Sequence, residues 1–169
     1  DYTALLCRAK WVRFSIDAGS AVVYAAYRKS RREVYDAVRA NLRQLSNCAN
    51  RDSELLIGVG FVLNAQNWRE VVEATRLARE DGADNIRISA LFQTEGLEYF
   101  RDFHQEASAL CREAESLATD RFRVFNFFGE RLQDLRDAVP EYGFCGFSRL
   151  ATYLGADSNA YTCCMNAYN

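Results

Sequence analysis

A nearly continuous apolar segment, residues 54–64 with the sequence ELLIGVGFVLN, places the tightest constraint on the fold of this chain. It is too short for a membrane-spanning helix, and runs of this length are typical of strands that are covered on both faces. Such strands occur in parallel sheets, because helices pack on both sides of those sheets. The segment therefore predicts an α/β protein with a parallel sheet.

Alternating strand and helix patterns surround this segment. Strands are also predicted at 11–17, 85–91 and 122–128, and helices after Ser20, at 32–45, after Asn67, at 97–118 and at 130–138. Ser20 and Asn67 are expected to cap their helices, and Gly82 to end one. Because strands that alternate with helices form right-handed βαβ units, we expect a parallel sheet of four strands.

Charge and composition exclude several classes of protein. The chain has 21 Lys and Arg against 23 Asp and Glu and no obvious basic stripe, so neither nucleic acid nor an anionic membrane is an expected partner. It shows no signal-peptide pattern and no apolar run long enough to span a membrane. We therefore expect a cytoplasmic protein with reduced cysteines, in which Cys7, Cys48 and Cys111 stand alone.

Polar residues follow the predicted strands, at the edge where parallel α/β folds bind ligands. Ser15 and Asp17 end the first strand, Asn64 ends the second, and Ser89 and Gln93 flank the end of the third. Hydroxyl, carboxylate and amide groups match the vicinal hydroxyls of a ligand such as a ribose. The alternative is that Asp17 and Asn64 stabilise turns, as these residue types commonly do after strands.

For two glycines, a histidine and a basic run, a structural role is expected rather than a functional one. Gly58 and Gly60 lie within a predicted strand, so close packing or a bulge is expected there rather than a phosphate-binding loop. His104 has no partner at ligand spacing, which argues against a zinc site or a catalytic triad. The basic residues within 28–32 can contact an anion, but a solvated helix face is the commoner role of such a run.

Cysteines at metal-ligand spacing lie near the end of the chain. Cys145 is followed after twelve residues by Ser158, and after four more by the adjacent pair Cys163 and Cys164. A metal would stabilise this irregular segment, whereas the alternative is that the cysteines are small buried apolar residues. Because two or three thiolates do not complete a tetrahedral site or an Fe-S cluster, we expect part of a metal-binding module.

Taken together, these segments resemble the second half of a radical S-adenosylmethionine (radical SAM) barrel that leads into a SPASM-type auxiliary iron-sulfur domain. The segment VRFSIDAGSAVVYAAYR is similar to the fourth strand of such barrels with its helix, and IGVGFVLNAQNWREVVEATRLAREDGADNIRIS to the fifth and sixth strands. The resemblance implies a partial parallel (β/α) barrel at 1–139, the C-terminal half of a TIM-like barrel. After Pro140, where the periodicity ends, it implies the truncated start of a SPASM domain at 140–169.

The resemblance also implies which residues bind SAM. Ser15 and Asp17 match the strand end that faces the ribose and methionine portion of SAM, and Asn64 matches the end of the next strand. Arg28 matches a position that can meet the SAM carboxylate. Leu91 occupies the end of the sixth strand, where an apolar side chain can pack near the adenine.

A SPASM domain opens with a cysteine, a spacer, a glycine, four residues and a second cysteine. Cys145 and Cys163 would therefore ligate an auxiliary [4Fe-4S] cluster, with Cys164 as the alternative to Cys163. Ser158 stands where the family has the glycine, and Gly155 is the nearest residue that would supply the same flexibility.

The activity implied by the resemblance is the reductive cleavage of SAM to a 5′-deoxyadenosyl radical, which abstracts hydrogen from a peptide or small-molecule substrate. A flavodoxin or ferredoxin would supply the electron. The CxxxCxxC loop that holds the SAM-cleaving [4Fe-4S] cluster is absent, so this chain alone is expected to be inactive and to bind SAM weakly or not at all. The alternative is a non-catalytic α/β binding module with structural or zinc-binding cysteines.

Overall fold

A computed structural model describes residues 2–48, 54–92, 95–129, 143–155 and 157–163. The chain divides into two compact units, Asp1–Arg136 and Asp137–Asn169. The first unit contains a sheet with its helices, and the second contains short elements around a hairpin.

A parallel sheet of four strands forms the first unit, as the sequence predicts. The strand order is β1–β2–β3–β4, so each strand pairs with its neighbours in sequence. The strands are β1 Trp11–Ser15, β2 Leu56–Leu63, β3 Asn85–Ala90 and β4 Arg123–Asn126. The apolar run at 54–64 provides the long strand β2, and the mixed α/β fold with a parallel sheet is confirmed.

One helix precedes the first strand of this unit, and the others connect the strands. They are α1 Tyr2–Leu6, α2 Ala21–Arg28, α3 Glu33–Cys48, α4 Val71–Glu80 and α5 His104–Glu115, with 3₁₀ turns at Trp68–Glu70 and Gly96–Phe100. Ser20 caps α2 as expected, because its hydroxyl accepts a hydrogen bond from the Val23 N–H. Gly82 follows α4 with a φ of 87°, a conformation that favours glycine. Within the described ranges, no helix has both the length and the apolar character needed to cross a bilayer.

The single long helix expected at 97–118 is instead a 3₁₀ turn followed by α5. The break falls at Phe103, whose φ of −134° and ψ of 4° are not helical. Phe100 and Phe103 are both buried, with ring centroids 5.6 Å apart, and Ala107 is buried one turn later. Because the apolar spacing continues across the break, the sequence pattern alone predicts one uninterrupted helix.

The two faces of the sheet differ in composition. Alternate residues of the central strands, including Ile57, Phe61, Ile86 and Ile88, are buried in the hydrophobic core. The opposite face is only partly buried, and Leu56 on it is 54% exposed, so the expectation that β2 is covered on both faces is wrong. We call this opposite side the open face, and it carries Trp11, Arg13, Ser15, Leu56, Gly58, Gly60, Val62, Asn85, Arg87, Ser89, Arg123 and Phe125.

The glycines of β2 serve close packing, in agreement with the sequence interpretation. A Cβ atom added to Gly58 would lie 2.9 Å from the Oδ1 atom of Asn85 on the neighbouring strand. A Cβ atom on Gly60 would lie 3.4 Å from Cδ of Arg13. These two positions therefore leave room for polar side chains that reach across β2 from both sides.

A disulfide bond joins Cys7 to Cys48, which corrects the expectation that both cysteines are reduced and stand alone. Their Cα atoms are 6.4 Å apart, within the usual range for a disulfide. The bond connects the segment after α1 to the last residue of α3. Because the two cysteines are 41 residues apart in sequence, their spacing does not predict that they form a disulfide bond.

The second unit contains a short helix, α6 Phe147–Leu150, and a two-stranded antiparallel hairpin. The hairpin strands are β5 Tyr153–Leu154 and β6 Ala160–Tyr161. The helix expected at 130–138 and the boundary expected at Pro140 lie outside the described residues and stay predictions.

Candidate functional site

A network of buried polar side chains joins the carboxyl ends of β1 and β2. Asp17 follows β1, and Asn64 and Asn67 follow β2, and all three are buried. The Asp17 Oδ1 atom accepts a hydrogen bond of 2.7 Å from the Val62 N–H. The Asn67 side-chain amide donates to the carbonyl oxygens of Asp17 and Val62, each at 2.9 Å. Together with Arg28, these three residues form what we call the strand-end cluster.

Arg28, the last residue of α2, forms an ion pair with Asp17. Its Nη2 group donates to Asp17 Oδ2 and also to the carbonyl oxygen of Ser15, at 3.0 Å for the latter. The Arg28 side chain is 36% exposed, whereas that of Asp17 is 4% exposed. The ion pair therefore extends from the interior to the surface. Burial raises the pKa of the Asp17 carboxyl above its usual value, because it outweighs the lowering effects of the Val62 N–H and the Arg28 guanidinium.

Asp17 has a left-handed backbone conformation, with a φ of 56°. This conformation is uncommon for residues other than glycine, although Asp and Asn adopt it more readily than most. The contacts that Asp17 makes with Val62, Arg28 and Asn67 hold it there. The turn at the end of β1 is thus maintained by side-chain contacts from α2 and from the loop after β2.

Asn64 and Asn67 use their side chains to stabilise the loop after β2. Asn64 Oδ1 accepts from the Gln66 N–H at 2.8 Å, and Asn64 Nδ2 donates to the Val62 carbonyl at 3.3 Å. Asn67 Oδ1 accepts from the Asn64 N–H at 2.8 Å. The structure therefore shows the turn-stabilising role that the sequence left open for Asp17 and Asn64.

The prediction that Asn67 caps a helix is wrong. Asn67 precedes the 3₁₀ turn at Trp68–Glu70 and makes no side-chain capping hydrogen bond, because its Oδ1 atom accepts from the Asn64 N–H instead. Its part in the site was missed because Asn before a helical pattern normally indicates a cap.

Glu70 is a second residue that sequence reasoning missed. Its carboxylate accepts hydrogen bonds from the backbone N–H groups of Gly19 and Ser20, at 2.8 and 3.1 Å, and from the Ser20 hydroxyl. A Cβ atom on Gly19 would lie 2.9 Å from the Glu70 carbonyl oxygen, so the close approach requires glycine. Because Glu70 is about fifty residues from its partners, no local sequence pattern reveals the contact.

Ser15 and Leu91 lie at the same edge of the sheet. Ser15 is exposed on the open face, and its hydroxyl lies 3.7 Å from the position that a Cβ atom on Gly60 would take. Leu91 follows β3, is half-buried, and donates its N–H to the Leu63 carbonyl at 3.0 Å. Ser89 is half-buried on the open face, and Gln93 lies outside the described residues.

The proposed cluster ligands Cys145 and Cys163 are both free and exposed. Cys145 lies just before α6, and its carbonyl oxygen accepts hydrogen bonds from the Ser148 N–H and hydroxyl. Cys164 lies outside the described residues. In the part of the chain that the structure describes, no three His, Cys, Asp or Glu residues come together as a metal site would require.

Ser158 adopts the conformation that the expected glycine would favour. Its φ is 67°, in the left-handed region, and its N–H donates to the Gly155 carbonyl at 3.0 Å. Gly155 is itself constrained, because a Cβ atom there would lie 2.4 Å from Asp157 Oδ1. Both residues thus shape the turn that joins β5 to β6, between Cys145 and Cys163.

His104 lines a groove of the first unit. It is exposed at the start of α5, and its ring centroid is 5.8 Å from that of Phe128. The groove is lined by Leu97, Glu98, Phe100, Arg101, His104, Gln105 and Gly129, none of which belongs to the strand-end cluster. Of the two structural roles that the sequence left open for His104, a surface residue or a satisfied core residue, the structure shows the first.

The fold and site define an α/β protein whose parallel sheet collects polar groups at the carboxyl ends of its first two strands. No protein-family model matches the chain, and no curated protein matches it.

Proposed function

We propose that this chain is part of a radical SAM enzyme with a SPASM-type auxiliary iron-sulfur domain. The observation that carries the proposal is the strand order β1–β2–β3–β4, in which sequence neighbours are also neighbours in the sheet. Doubly wound sheets reverse their strand order at a switch point, whereas (β/α) barrels add strands in sequence. The order therefore supports one wall of a barrel, with the candidate site at its carboxyl edge.

Ser15, Arg28 and Leu91 offer groups that fit SAM. The Ser15 hydroxyl is exposed and suits a ribose hydroxyl, and half-buried Leu91 provides an apolar surface for the adenine. Arg28 uses Nη2 for Asp17 but is 36% exposed, so the remaining guanidinium edge can bind the SAM carboxylate. When SAM is bound to the [4Fe-4S] cluster of the CxxxCxxC loop and reduced there, it supplies the radical that abstracts hydrogen from the substrate.

In this proposal Asp17 and Asn64 position the site instead of contacting SAM. Both Asp17 oxygens and both polar atoms of the Asn64 side chain already have protein partners. Asp17 orients Arg28 through the ion pair, and Asn64 fixes the end of β2. This role differs from the direct binding that the family resemblance implies for the two residues.

The auxiliary cluster would be held by Cys145 and by Cys163 or Cys164. Thiolates are the usual ligands of [4Fe-4S] clusters, and the two described cysteines are exposed and unpaired. The left-handed φ of Ser158 supports the SPASM assignment, because glycine, which the family has at this position, favours the same conformation.

The cellular setting is part of the same proposal. A cytoplasmic enzyme of this kind would take its electron from a flavodoxin or ferredoxin and act on a peptide or small-molecule substrate. In that compartment the Cys7–Cys48 disulfide would meet reducing thiols, to which the exposed Cys48 is accessible.

Metal content after reconstitution tests the cluster assignment. A version extended at both ends is reconstituted anaerobically with iron and sulfide, and Cys145→Ala, Cys163→Ala and Cys164→Ala are compared by iron and sulfide analysis. We expect Cys145→Ala and one of the other two variants to lose the auxiliary cluster. Cys111→Ala is the matched control, because Cys111 is fully buried in the core and its loss should leave the iron content unchanged.

The second candidate function is a non-catalytic α/β binding module with zinc-binding or structural cysteines. The observation that favours it is the internal use of the Asp17 and Asn64 side chains, which a structural role explains fully. A colourless reconstituted protein that holds stoichiometric zinc would replace the radical SAM proposal with this one.

A further inference from the structure

Three arginines lie together on the open face of the sheet. Arg13 on β1, Arg87 on β3 and Arg123 on β4 all point to this side, according to the strand register. No Asp or Glu belongs to the open face. A chain with a net charge of −2 therefore presents a locally positive surface here.

These arginines have no acidic partner in the described ranges, where no carboxylate forms an ion pair with any of the three. By contrast, the partly buried Arg28 and Arg39 both pair with buried aspartates. The positive charges of the three arginines on the open face are therefore not neutralised by carboxylates of the described residues.

Aromatic rings hold two of the guanidinium groups. That of Arg13 lies 4.6 Å from the ring centroid of Trp11, and that of Arg87 lies 5.1 Å from the ring centroid of Phe127. Stacking of this kind orients a guanidinium while its N–H groups stay available to an acceptor. The Nε atom of Arg87 is buried and has no hydrogen-bond partner.

The glycines of β2 bring Arg13 and Arg87 towards each other. Gly60 pairs with Arg87 in the strand register. The side chain of Arg13 passes over Gly60, and its Cδ atom lies 3.4 Å from the position that a Cβ atom on Gly60 would take. Burial and the positive charge of Arg87 both lower the pKa of Arg13. Since β1 and β3 are about 10 Å apart across β2, two long arginine side chains can bind the same small group.

We propose that the open face binds a small ligand through an oxyanion group, a carboxylate or a phosphate, held between Arg13 and Arg87. The exposed Ser15 hydroxyl lies at the same register position as Gly60 and adds a hydrogen-bonding group beside the two guanidiniums. The positive patch is confined to single arginines on three strands, which suits one small ligand better than a long polyanion. The oxyanion site shares Ser15 with the proposed SAM site, but the charged contacts come from Arg13 and Arg87, to which the SAM proposal assigns no role.

An NMR titration of the ¹⁵N-labelled chain tests the proposal. Inorganic phosphate and succinate are added separately at constant ionic strength, and the Nε–Hε signals of the arginines are followed. We expect saturable shifts at Arg13 and Arg87, and about tenfold weaker binding in Arg13→Gln and in Arg87→Gln, because each loses a charged hydrogen-bonding group. Arg112→Gln removes the same charge from an exposed position on α5 and is expected to leave the affinity unchanged.

The two probes also distinguish the sources of the oxyanion. Saturation by phosphate alone indicates a phosphorylated ligand, and saturation by succinate alone indicates a carboxylate ligand. Saturation by both indicates a general oxyanion site. Each of these results supports the proposal. Arg87→Lys keeps the charge but not the planar fork, so an intermediate affinity is expected. Non-saturable shifts that are equal at Arg112, Arg13 and Arg87 would overturn the proposal, as would unchanged affinity in folded Arg13→Gln, whose exposed position tolerates the change.

Discussion

Asp17 combines a left-handed backbone with a buried carboxylate that has both a backbone and a guanidinium partner. Replacing it by alanine leaves the Val62 N–H without its acceptor, removes the ion-pair partner of Arg28 and adds backbone strain. We expect Asp17→Ala to lower the free energy of unfolding by about 2–4 kcal/mol, measured by chemical denaturation.

Asp17→Asn is the matched variant for this prediction. Asparagine tolerates the left-handed conformation and still offers an oxygen to Val62, so it is expected to cost less than half as much as alanine. Equal losses in the two variants would show that neither the hydrogen bond nor the backbone conformation matters at this position.

Cys111 is expected to be chemically inert in the folded protein. Burial raises the pKa of its thiol to about 12, mainly by desolvation of the thiolate. At pH 8 iodoacetamide should therefore label the exposed Cys145 and Cys163 within minutes and Cys111 only after denaturation, as followed by peptide mass spectrometry. Labelling of Cys111 in the native protein at the rate of Cys145 would contradict this account.

At the level of single residues, the sequence identified the positions of the candidate site but not the contacts. Asp17 and Asn64 stand out because they follow strands, and the structure places both in one network. Glu70 was missed because its partners are remote in sequence. The arginines of the open face were missed for a similar reason: each is isolated along the chain, and only strand pairing brings them together.

Glu70 connects two elements, because it lies at the start of α4 and its carboxylate binds the N-terminal N–H groups before α2. An anionic acceptor at a helix N-terminus satisfies unpaired donors and interacts favourably with the helix dipole. We expect Glu70→Ala to lower the free energy of unfolding by about 2 kcal/mol and to speed hydrogen exchange at Gly19 and Ser20.

Glu73→Ala provides the control for this variant. Glu73 lies in the first turn of α4 and has the same charge, but it is about half exposed, and its ion pair in the described structure is with Arg76. Its loss should cost about 0.5 kcal/mol or less, because exposed ion pairs contribute little. If the two variants were equally destabilised, the contact between Glu70 and the start of α2 would have no special role.

Among the elements, strands were predicted more reliably than helix ends. The alternation at 11–17 and the apolar run at 54–64 correspond to β1 and β2 because strand period and burial are local properties. The break before α5 was not predictable, since buried phenylalanines continue the helical spacing through it. The disulfide that ties α3 to the segment after α1 also depends on tertiary structure alone.

For the whole molecule, the parallel four-stranded sheet follows from the alternation of strands and helices along the sequence. Membership of a larger barrel does not, because four sequential parallel strands are compatible with more than one complete sheet. The proposed metal site also does not follow from the sequence alone. Two exposed cysteines and the left-handed Ser158 support it, but an iron-sulfur cluster usually requires four ligands.

The most direct test of the radical SAM proposal is the fate of SAM in the extended, anaerobically reconstituted protein. With dithionite as reductant, we predict a brown protein that converts SAM to 5′-deoxyadenosine, measured by liquid chromatography. The chain without extensions serves as the control and should give no product and, by calorimetry, little or no SAM binding. A colourless protein that contains stoichiometric zinc and leaves SAM intact would contradict the proposal.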